Sequence, residues 1–212
     1  YLVTSGSYSG FVSSARASSQ RFTIGTNLVS IAASTSNFTL GGENTTHTGN
    51  LAGYTGSDVQ YTPTASGDSV VITFDQTVVN PNFTLYDIDR AAVYTISARD
   101  ASGANVNVTV NFQAPTILTL GGTPTFSTVT ATNTSVANTS NNGSATISFP
   151  GLVVKTVKVE ITNRGTTGGG NSLEFWLSDI NACVTGSFPA SYRAISQPFT
   201  GMPAYILTVM NN

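Results

Sequence analysis

The sequence predicts an all-β fold: an antiparallel, jelly-roll-like β-sandwich of about eleven strands with essentially no helix. Three observations predict it. Short runs rich in Thr, Val, Ile, Phe and Tyr recur along the chain. Gly, Asn, Asp or Pro punctuates them. No segment keeps a 3.6-residue apolar period over the length of a helix.

Taken in order, residues 1–20 form a Ser- and Gly-rich N-terminal segment, and the sandwich domain is placed at 21–185. Its strand signals are FTIGTNLVSIAA from Phe22, VVITF from Val70, NFTLYDI from Asn82, VYTISA from Val93 and VNVTVNF from Val106. TILTL from Thr116, FSTVTAT from Phe126, ATISF from Ala145, VVKTVKVEIT from Val153 and LEFWLSDI from Leu173 follow. Residues 186–212 are a Pro-containing extension that closes on one more strand, YILTVM, from Tyr205. Pro189, Pro198 and Pro203 resist regular pairing before it.

Composition narrows the function classes. Charged residues make up 8% of the 212, against roughly 25% in an ordinary soluble domain. The apolar share is 40% and comes in short alternating runs, none near the ~20 residues that cross a bilayer. That describes a folded, extracellular-type protein without membrane insertion. Net charge is −2, and the Lys and Arg residues are scattered, so no phosphate-tracking surface forms and nucleic acid is excluded as a partner. Cys183 is the single cysteine, which rules out a disulfide within the chain.

The pattern F-x-L-x-D-I-D/N occurs twice, as Phe83–Asp89 and Phe175–Asn181. A second echo matches Ser69–Phe74 to Ser144–Phe149, each followed by a turn and a Val-Val pair at 78–79 and 153–154. Such matches fit two similar strand-turn-strand units in the two halves of one sandwich. Period-2 geometry places Phe83, Leu85, Asp87 and Asp89 on one face, with Tyr86 and Ile88 on the other. Phe175, Leu177, Asp179 and Asn181 share a face in the second copy.

Acids at a sheet rim have two uses. Asp87, Asp89 and Asp179, with Asn181 or a loop carbonyl, could supply the oxygen shell that calcium prefers. Alternatively they cap turns by accepting backbone N–H groups. Capping takes precedence, because no Asp-x-Asp-x-Asp-Gly loop supports a metal. Trp176 and Tyr86 lie on the face opposite the acids and form a sugar-stacking platform if that face is open, or core if it is covered; core is preferred.

Catalytic signals are poor. His47 is the only imidazole and sits in a polar loop, and no G-x-S-x-G elbow occurs. A glycosidase pair would need Asp179 or Glu174 facing Asp87 or Asp89. The chain is therefore expected not to be an enzyme. Asn133, Asn138 and Asn142 lie in the most loop-like stretch and are the candidate glycosylation sites, in a chain so rich in Asn, Ser and Thr that several sequons arise by composition. In the last strand Tyr205, Ile206, Leu207 and Val209 are too apolar to stand uncovered, and donating them to a neighbouring subunit would assemble a filament.

The runs VVITFDQTVVNPNFTLYDIDR and LEFWLSDINACVTGSFPASY also carry a family likeness. Over residues 21–200 the chain resembles a β-sandwich domain repeated across large secreted and cell-surface proteins of the Bacteroidota. There, F-x-x-P/T-V-x-N-x-x-F-T-L-x-D-I-D pairs with a closing L-S-D-I-x-x-C. The resemblance carries over to Asp87, Ile88 and Asp89, and to Asp179, Ile180 and Cys183. It implies export (often by type IX secretion), surface display and an adhesive or scaffolding role, with no established catalytic residues. The expected function is a structural or adhesin-like subunit of a cell-surface or filamentous assembly, with strand addition as its route to polymerise. Its partners would be copies of itself or neighbouring domains of a surface protein. The alternative is a carbohydrate-binding module with a structural calcium ion and glycan partners.

Overall fold

The computed structural model describes residues 3–5, 19–24, 27–34, 38–40, 59–113, 116–136, 140–165, 175–178 and 180–184. His47, Asn138, Glu174, Asp179 and the whole of Tyr205, Ile206, Leu207 and Val209 lie outside the described residues.

The strands begin with β1 (Val3–Ser5), β2 (Ser19–Ile24), β3 (Asn27–Ala33), β4 (Phe38–Leu40) and β5 (Val59–Tyr61). Next come β6 (Ser69–Tyr86), β7 (Val93–Arg99), β8 (Asn105–Val106), β9 (Thr109–Phe112) and β10 (Leu118–Thr123). β11 (Phe126–Ala131), β12 (Ala145–Ser148), β13 (Val153–Asn163), β14 (Phe175–Leu177) and β15 (Asn181–Val184) complete the set, with one 3₁₀ turn at Asn141–Gly143. The fold is all-β, as the alternation requires, and every pairing is antiparallel.

The strand division differs from the expected eleven in two instructive places. FTIGTNLVSIAA is a hairpin, with Ile24 opposite Asn27 across the two-residue connection Gly25-Thr26. VVITF and NFTLY, expected as separate strands with a turn after Phe74, are one strand of 18 residues. Asn80 takes a left-handed conformation (φ 53°). Its amide N–H reaches Leu152 O at 3.2 Å, and its side-chain oxygen accepts from Gly151 N–H. The chain bends at this point without leaving the ladder, and Pro81 fits because a bend needs no donor there.

β6 is the axis of the molecule. Its first half lies between β3 and β13, with Ile72 opposite both Ile31 and Val157. Its second half lies between β12 and the β14–β15 segments, with Leu85 opposite Ala145 and Leu177. On the first side the order continues through β13 to β7, β11 and β10. On the second side it continues to β9, and to β5 and β4. The inward side chains of both groups fill one core that includes Ile31, Ile72, Phe74, Ile96, Val129, Val159, Phe83, Leu85, Ile147 and Phe175. The two groups are the layers of a sandwich, and β6 belongs to both.

Asn27 shows how the bend of β6 is tied. Its side chain is fully buried, donates to Gln76 O (2.8 Å) and accepts from Gln76 N–H (2.9 Å), replacing a missing rung of backbone pairing. The Val-Val echo has a structural meaning too: Val78 faces Val154 and Val79 faces Val153 across the ladder.

Candidate functional site

Of the acids singled out in the sequence, Asp87 and Asp89 sit at one rim of the sandwich, where β6 ends. The strand stops at Tyr86, and Asp87 turns left-handed (φ 61°), followed by Arg90 (φ 53°) and Ala91 (φ 60°). Each such residue costs roughly 1–2 kcal/mol of backbone strain, so the surroundings must hold it. They do so through hydrogen bonds: Ile88 N–H to Gly143 O at 3.0 Å, Arg90 N–H to Thr134 O at 3.1 Å, and Ala91 N–H to Thr132 O at 2.9 Å. A Cβ on Gly143 would lie 2.9 Å from both N and O of Ile88, so only glycine permits this approach.

The turn corrects the face assignment. Strand alternation would set Ile88 beside Tyr86, away from the core. Instead the kink at Asp87 returns Ile88 to the main core with Phe83 and Leu85, fully buried. Ile180 in the second copy enters the same core.

Asp89 is 6% exposed. Its carboxylate accepts Val136 N–H at 2.9 Å and lies 3.5 Å from Arg90 Nε. Burial pushes its pKa above the ordinary carboxylate value, and the Val136 N–H, the Arg90 charge and Ser135 only partly oppose it. The second acid of the motif is thus a staple between the end of β6 and the loop 132–136, the capping use expected of it.

A second buried acid at this rim, Asp68, was not singled out in the sequence. Its carboxylate accepts Thr64 N–H (2.6 Å), Thr64 Oγ1–H (3.0 Å), Ala65 N–H (2.9 Å) and Ser34 Oγ–H (3.4 Å). Burial raises its pKa, yet the bonds from Ala65, Thr64 and Ser34 together outweigh it and hold the group below the usual value. The signal was available: Gly67-Asp68 closes a Ser/Thr-rich turn ahead of a strongly apolar strand.

The end of β13 links both acids. Ile161 N–H donates to Asp68 O and Ile161 O accepts Gly67 N–H. Arg164 Nη1 donates to Thr64 O at 2.7 Å. Gly165 (φ 66°) lies so close to the Asp89 turn that a Cβ would stand 2.0 Å from Arg90 O. Beneath them Tyr94 is fully buried and meets Phe175 edge-to-face at 5.4 Å, while Phe175 meets Tyr61 at 5.3 Å. Burial first, and the charges of Asp87 and Asp89 second, keep the Tyr94 hydroxyl protonated.

Of the expected calcium set Asp179 lies outside the described residues, and Asn181 is not brought to the rim that holds Asp87 and Asp89. Asp89 is already bonded within its own loops. Asn181 pairs with Asn82 and with Ser5. Asn82 lies five residues before Asp87 on β6, so Asn181 stands roughly 16 Å along the strand from the rim. The register of β15 is what separates it, and side-chain alternation carries no information about that register. Among the described residues no three His, Cys, Asp or Glu side chains gather to hold a metal.

Tyr86 and Trp176 are brought together as cross-strand partners, and Leu85 faces Leu177 beside them. They form a cluster of their own, apart from the main core, at 3% and 0% exposure. Sugar stacking needs an open ring face, so the platform reading is corrected: these rings are packing. Ser178 completes the join, donating its N–H to Thr84 O (2.9 Å) and accepting Thr84 N–H on Oγ (2.7 Å). Asn133 and Asn142 are exposed on rim loops, where a glycan has room. Cys183 is half-buried opposite Val79 and Val3.

Among the described residues no helix is long and apolar enough to cross a membrane. No family model matches the chain, and no curated protein does. Among solved structures the chain is similar to "CBM32 of AlyQ in complex with 4,5-unsaturated mannuronic acid", at 14% identity over 72% of this chain and 92% of that one, with a TM-score of 0.32. A likeness at that level says nothing about what this chain binds, and the β-sandwich stands on the chain's own pairing and core.

Proposed function

We propose that this chain is a non-catalytic structural or adhesive β-sandwich module of an extracellular or cell-surface assembly. One observation carries the reading: the buried acids of the loop rim, Asp68 and Asp89, are bonded to N–H and hydroxyl groups of their own loops. Acids used this way fix the shape of loops. A chain with 8% charged residues supports the same reading, because a weakly charged protein has little electrostatic barrier to packing against neighbours.

The test combines localisation with activity. Antibody labelling of intact cells and of culture medium should find the chain outside the cell. Purified chain offered a panel of oligosaccharides should release no product. Glycoside cleavage that disappears in Asp89→Asn while the melting temperature holds would overturn the reading. Tight binding on a glycan array, lost when an exposed aromatic such as Phe126 is replaced by Ala, would move the chain to the carbohydrate-binding class.

A further inference from the structure

From residue 101 to residue 154 the chain contains no Asp, Glu, Lys, Arg or His. That stretch holds all of β8, β9, β10, β11 and β12. Strands of both layers are therefore built without charge, and they include β10, the last strand on its path. Among the described residues β10 pairs with β11 alone.

Exposed sheet edges are ordinarily blunted by Lys, Pro, bulges or inward-pointing charges, because a free row of N–H and C=O groups invites another strand. β10 carries no charged residue or proline across Leu118–Thr123. The left-handed Gly122 (φ 78°) lies near its far end, and the register with β11 runs unbroken from Leu118 to Thr123. The strand is also held in place: Val108 N–H donates to Pro124 O at 2.7 Å and fixes the tip of the β10–β11 hairpin.

Leu120 identifies what is missing. It stands opposite Val129, which is fully buried, so both point to the inner side of the sheet. Leu118 on the same face is 2% exposed, yet Leu120 is 54% exposed. Among the described residues no strand beyond β10 covers this inward leucine.

We propose that the free edge of β10 pairs antiparallel with β10 of a second copy, giving a two-fold dimer with a continuous sheet. Centred near Thr119, that pairing sets Leu120 of each copy beside Leu118 of the other, on the inner face of both. A second copy is the occupant that the charge distribution favours. Two uncharged edges meet with no repulsion and no ion to desolvate, whereas a charged partner finds no counter-charge here. The pairing names a partner for the structural role proposed above, but its geometry stands on β10 alone.

Sedimentation velocity of the full chain across micromolar to millimolar concentration tests it. A dimer that grows with concentration is expected. Leu120→Lys and Leu120→Glu should each weaken it by about a hundredfold, because each sets a charge against the apolar Leu118 of the other copy and two like charges lie diagonally across the two-fold. Mixing the two variants should restore a one-to-one dimer. Leu120 is largely exposed, so both variants should keep the wild-type melting temperature. A chain that stays monomeric throughout, or variants that dimerise like wild type or fail to rescue each other, would overturn the pairing. So would a neutral polysaccharide that binds the monomer and is lost in Leu120→Lys. None of these outcomes touches the loop-rim argument, which depends on Asp68 and Asp89.

Discussion

Asp68 and Asp89 are both nearly excluded from solvent at the same rim, and both sit on turns joined to the end of β13. They respond oppositely to burial. Asp68 receives four donor groups and its pKa falls; Asp89 receives one backbone N–H and a nearby guanidinium, and its pKa rises. Burial alone does not decide whether an acid stabilises a loop. The number of donors converging on the carboxylate decides it, since desolvating a charge costs several kcal/mol and each charged hydrogen bond returns roughly 1.5–3.

The glycines beside the acids differ in the opposite sense, and Gly165 gives the largest expected effect. Gly165→Ala, at the Asp89 turn, drives a Cβ into Arg90 O and should cost about 4 kcal/mol, a drop in melting temperature on the order of 10 °C. Asp68→Ala comes next, at about 2–3 kcal/mol by urea denaturation, because Thr64 and Ala65 are exposed enough for water to replace part of what is lost. Asp89→Asn should change stability by less than about 1 kcal/mol at neutral pH, and in the stabilising direction, since the amide keeps the Val136 bond without a buried charge. If Asp89→Asn proves as damaging as Asp68→Ala, the contrast between the two acids is wrong. Gly67→Ala meets nothing within 4 Å and should cost only about 1 kcal/mol for its left-handed backbone (φ 93°).

Acidity separates the two acids further. The depressed Asp68 contributes stability above the unfolded carboxylate value and loses it as pH falls through its folded value. The elevated Asp89 does the reverse: its contribution is whole below the unfolded value and is lost as pH rises through the folded one. Denaturation of wild type against Asp68→Asn should therefore show a gap that closes on acidification. The gap to Asp89→Asn should instead open as pH rises. A chelator should leave the melting temperature unchanged if Asp89 is held by the Val136 N–H and Arg90 rather than by an ion.

Much of the fold was legible because alternation is a local property. The inward series Tyr94, Ile96, Ala98 and Val157, Val159, Ile161 can be read from the chain, and each is buried. Asp87 was misread for the same reason: alternation presumes an unbroken strand, and a left-handed residue resets it. The staple role of Asp89 followed from turn chemistry. The separation of Asn181 from the rim did not, because it depends on which residue of β6 it meets. The uncharged span between Asp100 and Lys155 was in plain view, but it acquired meaning only when β10 proved to be an end strand.

The double membership of β6 has a mechanical consequence. No peeling motion can open one layer while sparing the other, because the same backbone is a rung in each. Unfolding should accordingly proceed as a single event with no surviving half. A circular permutant opened at Ser102, an exposed turn, should refold, while one opened at Gln76 should sever both layers together and fail.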